Sequence, residues 1–132
     1  MAAHHTFRQR IYVQHTDMWG IVYYANYFSM AEHARAEFFR DKGLPLHAFT
    51  REHQGYFVVT QADGRFLKPA RLDDCLEILT HVTHMKKASL TLSQDFMHTD
   101  HGCLARLMIT LAWLSDQGRP TALPPILEPH LA

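Results

Sequence analysis

Residues 12–40, YVQHTDMWGIVYYANYFSMAEHARAEFFR, decide the fold. From Tyr24 to Arg40 no Gly or Pro interrupts the pattern; Tyr27, Ala31, Ala34 and Phe38 fall on one helical face, and Ser29, His33, Glu37 and Arg40 on another. Gly43 followed by Pro45 is a helix stop. The spacing therefore predicts one long amphipathic helix over 24–40. Ahead of it, Asp17 and Gly20 bracket a turn, which sets a carboxylate beside a helix start, where unpaired backbone N–H groups and the positive dipole end converge. An acid next to such donors suits acyl transfer, because the same N–H groups can hold a developing oxyanion.

Upstream, Phe7, Ile11 and Val13 alternate with polar or aromatic neighbours, which predicts a strand over 7–14. Residues 46–55 read as irregular. Strands follow at 56–60 and 65–68, with Gly64 read as a bulge between them. Leu76, Ile78 and Val82 mark another strand, and Leu90, Leu92 and Phe96 the next. Asp100-His101-Gly102 is a hairpin turn, and 104–114 is apolar enough for a strand covered on both sides. The tail from about 118, with four prolines, reads as extended. One helix followed by antiparallel strands gives an α+β domain whose sheet wraps around that helix. A single helix cannot cover both faces of such a sheet, so the chain is expected to self-associate.

At 132 residues the chain is read as one domain over 1–132. Thirteen basic and thirteen acidic side chains cancel, which leaves no global field to draw nucleic acid or an anionic membrane. No apolar run approaches the roughly 20 residues of a membrane span, and the start, MAAHHTFRQR, does not read as a signal peptide. His4 and His5 read as a frayed end. Cys75 and Cys103 are far apart in strand-like segments and read as reduced, partly buried thiols of a cytoplasmic protein. Of the eleven histidines, the closest pairs are His81/His84 and His98/His101. On a strand that spacing sends the rings to opposite faces, and no ligand set for a metal is expected.

The stretch HTDMWGIVYYANYFSMAEHARAEFF resembles the signature of the hotdog-fold acyl-CoA thioesterases, in the 4-hydroxybenzoyl-CoA thioesterase-like group. FLKPARLDDCLEI is similar to that group's second block, and MKKAS and GRPTALP to weaker ones. The overall likeness is to the Tol-Pal-associated branch. The resemblance implies a hotdog fold, about five antiparallel strands wrapped around one long helix. It implies hydrolysis of an acyl-CoA to acid and CoA, with Asp17 as the catalytic carboxylate, either nucleophile or general base. The backbone N–H of Tyr24 becomes the oxyanion donor. That branch usually has His where this chain has Tyr24, which tilts the expected substrate towards short-chain or aromatic acyl groups.

Gly20 is expected either to turn the chain or to let it approach the thioester closely, and Trp19 to line the acyl pocket. Lys86 and Lys87 with Ser89, and Arg119, are candidates for the coenzyme A phosphates, as are Lys68 and Arg71 beside the second block. Asn26 and Glu32 are read as helix-start and helix-surface groups. The resemblance further implies a dimer of dimers, with Asp17 of one chain facing Tyr24 of its partner, and no metal or redox cofactor. The rival readings are a hotdog hydratase or dehydratase, a module that binds an acyl thioester without cleaving it, and a structural partner in an envelope-associated complex.

Overall fold

The computed structural model describes residues 4–131; residues 1–3 and 132, the ends of the expected domain, lie outside the described residues. Five strands form one antiparallel sheet: β1 (His5–Arg10), β2 (Gly55–Phe66), β3 (Cys75–Met85), β4 (Ser89–His98) and β5 (Gly102–Ser115), in the order β1-β3-β4-β5-β2. The sheet wraps around α1 (Tyr24–Asp41), the arrangement the resemblance implies.

Helix α1 buries a wider face than the apolar stripe alone predicts. Met30, Arg35 and Phe39 are buried beside Tyr27, Ala31, Ala34 and Phe38. Leu76 and Ile78 of β3, Leu92 and Phe96 of β4, and Leu107, Ile109 and Trp113 of β5 meet them from the sheet. Burying side chains of this size stabilises the fold by roughly 1.5–3 kcal/mol each. One polar cluster interrupts the apolar layer. Gln94, fully buried in β4, donates through Nε2 to the Ala31 carbonyl (2.9 Å) and to Thr80 Oγ1 (3.0 Å), and accepts from Arg35 Nη1 (3.0 Å).

The boundaries depart from the sequence reading in several places. β1 ends at Arg10, and the predicted continuation to 14 is a short 3-10 helix, Val13–His15, which carries the same alternation over a few residues. His5 is the first strand residue, half-buried and 2.6 Å from Asp41, instead of frayed. The irregular piece contains α2 (Leu46–His53), which buries Phe49. β2 is continuous through Gly64, and the register shift lies between Val59 and Gln61. Gly64 serves a different purpose: a Cβ there would come within 2.8 Å of the Phe66 ring and 3.3 Å of Phe28. The Pro-rich tail pairs Pro120 with Leu114 and ends in α3 (Leu127–Leu131), which buries Leu127 and Leu131. Cys75 is exposed, Cys103 half-buried, and neither forms a disulfide.

β5 is covered on one face only. Leu107, Ile109, Leu111 and Trp113 are buried, whereas Met108, Thr110, Ala112 and Leu114 on the reverse are half-exposed. At the sheet edge, β2 is exposed at every residue from Val59 to Phe66.

Candidate active site

Two sequence blocks meet at the start of α1. The 3-10 helix delivers the chain into a tight loop in which Asp17 N–H donates to Ile21 O (3.0 Å) and Gly20 N–H to Asp17 O (3.1 Å). Gly20 holds φ +74°, and a Cβ there would meet nothing within 4 Å, so glycine is required by the turn and not by close packing within the chain. The 69–74 block then clamps the loop. Val22 N–H donates to Ala70 O (2.8 Å), Leu72 N–H to Gly20 O (3.1 Å), and Ile21 pairs with Arg71.

His15 fastens loop to helix. Its carbonyl accepts from Tyr23 N–H (3.0 Å) and from Asn26 Nδ2 (2.8 Å), and its Nδ1 accepts from Tyr12 N–H (2.9 Å). The ring must be neutral to accept there. Burial, followed by the charge of His33, holds its pKa below the ordinary 6.5. Sequence alone gives His15 no such role and makes Asn26 a helix-start group; the Asn26 amide ties that start to the loop.

The carboxylate of Asp17 is aimed by one bond, Trp19 N–H to Oδ1 (2.8 Å), while Oδ2 has no partner among the described residues. The helix start opposite it is bare. Tyr23, the N-cap residue, makes no side-chain cap, and no acidic residue occupies the first turn. The N–H of Tyr24 has no acceptor among the described residues. Donors left open at a helix N-terminus form a site for negative charge. Asp17 and Tyr24 line one cleft of about 390 Å³, walled by Tyr23, Tyr27, Phe66 and Leu67, with Lys68 at its edge. Both therefore come from one chain, and the expected pairing of Asp17 with a partner's Tyr24 is not needed to join them. Chemically, the cleft offers a carboxylate oxygen and a backbone N–H that have no partner among the described residues, and aromatic walls.

The other candidates are distributed differently. Trp19 does not line the cleft; it is 75% exposed, and Met18 beside it is 86% exposed. Lys86 and Lys87 occupy the β3–β4 turn, where Lys86 N–H donates to Ser89 O (2.8 Å). Arg119 pairs through its carbonyl with Ser115 N–H (2.8 Å) at the same end of the sheet. Arg71 and the Asp17 loop lie at the opposite end of β3, whose 11 residues span about 35 Å. Within one chain these four residues are thus remote from Asp17. Lys68 and Arg71 are the cations nearby: with His101 they line a cavity of about 210 Å³ that shares Lys68 and Pro69 with the cleft. Arg71 makes no ion pair with Asp73; its N–H donates to Asp74 Oδ2 (2.9 Å). His98 and His101 straddle the β4–β5 turn and stack at 4.6 Å, so they are not on opposite faces of a strand. Among the described residues no cluster of three His, Cys, Asp or Glu side chains is placed to hold a metal ion. Nor is any helix among them long and apolar enough to cross a membrane.

Comparison with known proteins shows the family and the fold. The thioesterase superfamily model matches residues 20–113. The acyl-CoA thioester hydrolase YbgC of Escherichia coli is 34% identical over 116 residues, 87% of this chain and 86% of that protein. The crystal structure of a probable thioesterase from Bartonella henselae superposes with a TM-score of 0.85 at 31% identity, covering 92% of this chain and 100% of the other. A mutant of 4-hydroxybenzoyl-CoA thioesterase, in complex with 4-hydroxybenzoyl-CoA, shares the hotdog fold at a TM-score of 0.91. Its identity is 21%, over 99% of this chain and 100% of that one.

Proposed function

The chain belongs to the thioesterase superfamily and is an acyl-CoA thioester hydrolase, and on that footing we propose that Asp17 and the first N–H groups of α1 carry the hydrolysis. The observation behind this reading is one cleft that holds both an Asp17 oxygen and the N–H of Tyr24, each without a partner among the described residues. The thioester carbonyl oxygen accepts from Tyr24 N–H, which stabilises the charge as the carbonyl carbon becomes tetrahedral. Asp17 Oδ2 then acts by one of two routes. It adds to the carbonyl carbon, expels the CoA thiolate and leaves a mixed anhydride for water to open. Alternatively it takes a proton from water as that water adds, and the C–S bond breaks from the resulting intermediate. Both routes yield the free acid and CoA, and neither needs a metal or redox cofactor.

The substrate of this reading is a short-chain or aromatic acyl-CoA. Tyr24, Tyr27 and Phe66 surround a cleft of about 390 Å³ with ring faces and edges, which suits a compact or planar acyl group. Lys68 and Arg71 form the basic rim of the same chain. Lys86, Lys87, Ser89 and Arg119 reach a coenzyme A phosphate only when a neighbouring subunit brings them, and Trp19 becomes a pocket wall only under such a neighbour. The enzyme is accordingly a homo-oligomer, a dimer of dimers. That assembly is supported by the exposed β2 edge, by the half-exposed reverse face of β5, and by the exposed Met18, Trp19, Tyr24, Phe66 and Leu67 around the cleft. Two free thiols suit a cytoplasmic setting.

The test is free-thiol release from a panel of acyl-CoAs that includes benzoyl and 4-hydroxybenzoyl thioesters, with Asp17→Asn alongside. Asp17→Asn should lower kcat by roughly 10²–10⁴-fold without moving the melting temperature. An unimpaired variant would remove Asp17 from the mechanism.

A further inference from the structure

The carboxylate of Asp17 has one bond of its own, from Trp19 N–H, so its aim is inherited from the backbone of its loop. That loop leans on the 70–72 segment through a bridge between Ile21 and Arg71. The two bonds of the bridge flank the facing residues: Val22 N–H donates to Ala70 O, and Leu72 N–H to Gly20 O. In such a wide antiparallel pair the polar backbone groups of the facing residues point away from each other. Those of Arg71 both meet Asp74. Arg71 N–H donates to Asp74 Oδ2 (2.9 Å), and Arg71 O accepts from Asp74 N–H (3.0 Å). Asp74 thus stands where the next strand of a small sheet would stand, behind the segment that clamps the loop. It is anchored in turn, because its carbonyl accepts from the N–H of fully buried Ile11 (2.8 Å).

Behind Asp74 lies the main sheet. His98, the last residue of β4, sets Nε2 3.5 Å from Asp74 Oδ1, and the two side chains are only 15% and 23% exposed. His98 Nδ1 accepts from Asp100 N–H (3.0 Å), so the proton of the neutral ring sits on Nε2, on the side of the carboxylate. A pair so far withdrawn from water is little weakened by salt. Tyr27, a wall of the cleft, also senses Asp74: burial raises the pKa of its hydroxyl, and the Asp74 charge adds to the rise. Contacts therefore run in one line from the sheet to the acid, through His98, Asp74, Arg71 and Ile21. The last link is Asp17 N–H, which donates to Ile21 O (3.0 Å). Neither Asp74 nor His98 lines the cleft itself.

We propose that Asp74 and His98 are positioning residues for the hydrolysis, which brace the 70–72 segment from behind and so fix where the loop presents the Asp17 carboxylate. The proposal rests on the assignment of Asp17 above and extends the machinery to two side chains that touch no substrate. A reacting group must be held within about 0.5 Å of its productive position, which a loop braced on one side only does not achieve.

The experiment is steady-state kinetics of the full chain on an acyl-CoA that the wild type hydrolyses, with each variant made both alone and in the Asp17→Asn background. Asp74→Ala frees the Arg71 N–H and should lower kcat by about tenfold or more, with KM within about twofold of the wild type. Asp74→Asn keeps an oxygen for that N–H and should recover at least about threefold of the loss. His98→Asn keeps an acceptor for Asp100 N–H and removes only the contact to Asp74; its kcat should fall by about threefold. In the Asp17→Asn background Asp74→Ala and His98→Asn should each change the residual rate by less than about twofold, because they act through the carboxylate already removed. Circular dichroism identifies the folded variants, and His98→Asn carries the test if Asp74→Ala does not fold. Folded variants with wild-type kcat, or losses that persist undiminished in the Asp17→Asn background, overturn the proposal and leave the assignment of Asp17 intact. An Asp17→Asn variant as active as the wild type overturns both.

Discussion

At its C-terminal end α1 is closed. Lys42 N–H reaches the carbonyls of Phe38 and Phe39, Gly43 turns the chain at φ +80°, and Leu44 N–H returns to Phe39 O. Phe38 is buried against His5 and Phe39, with the Lys42 ammonium 5.6 Å from its ring. At its N-terminal end the same helix is open. Tyr23 offers no side-chain cap, Tyr24 is 57% exposed, and the first N–H groups face a cleft. Stability alone would cap both ends, since a Ser, Thr, Asp or Asn N-cap adds about 1 kcal/mol. This helix takes its stability from one end, and in the proposed mechanism the donors of the other are kept for the thioester.

Substitutions should separate the two ends. Phe38→Ala empties a core site at the closed end and should cost about 3–5 kcal/mol in urea unfolding, with turnover per folded molecule unchanged. Gly20→Ala strains the loop at the open end by roughly 1–2 kcal/mol, because its φ is +74°. There the expected loss in kcat exceeds what the small fall in melting temperature suggests, since the loop aims Asp17. Tyr23→Asp supplies the missing cap and should raise stability by about 1 kcal/mol. It should also lower kcat/KM below that of Tyr23→Ala, because a carboxylate now competes for the donors and repels the oxyanion. If Tyr23→Asp were as active as Tyr23→Ala, the open end would have no catalytic purpose.

The smallest effect concerns pH. Burial keeps the pKa of His15 below 6.5, so its contribution to stability is full above that pH and is lost as the pH falls through the lowered value. Protonation removes the acceptor for Tyr12 N–H and loosens the loop that carries Asp17. The thermal midpoint should therefore decline more steeply below pH 6.5 in the wild type than in His15→Asn, whose amide oxygen can still accept that bond.

Much of this organisation is legible in the residues. The uninterrupted run from Tyr24, the stop at Gly43 and the alternation of Leu76 and Ile78 place α1 and the sheet, and Asp17 ahead of the helix places the acid. The features that escape detection share a physical cause, since they depend on backbone bonding or on distance in space. The 69–74 block supports the active-site loop through main-chain bonds from Val22 and to Gly20, which impose no particular side chains. α2 buries only Phe49, too little to register a helical period. Lys86 and Lys87 are basic and stand in a turn, as a phosphate site requires, yet only the length of β3 shows that they lie far from Asp17 in their own chain. His15 reads as an ordinary loop residue until its carbonyl is found holding both Tyr23 and Asn26.

Gln94 has one further consequence. A helix resting on a purely apolar sheet has lengthwise play, because a slip of one turn, about 5.4 Å, exchanges one set of greasy contacts for another. The bonds from Gln94 to the Ala31 carbonyl and Thr80, and from Arg35 back to Gln94, are directional and sit near the helix midpoint. They act as a pin through the middle of a sliding rod. Because the pin fixes how far the rod projects, the gap between the Tyr24 N–H and the Asp17 carboxylate is gauged from an amide about two helical turns along α1 from Tyr24.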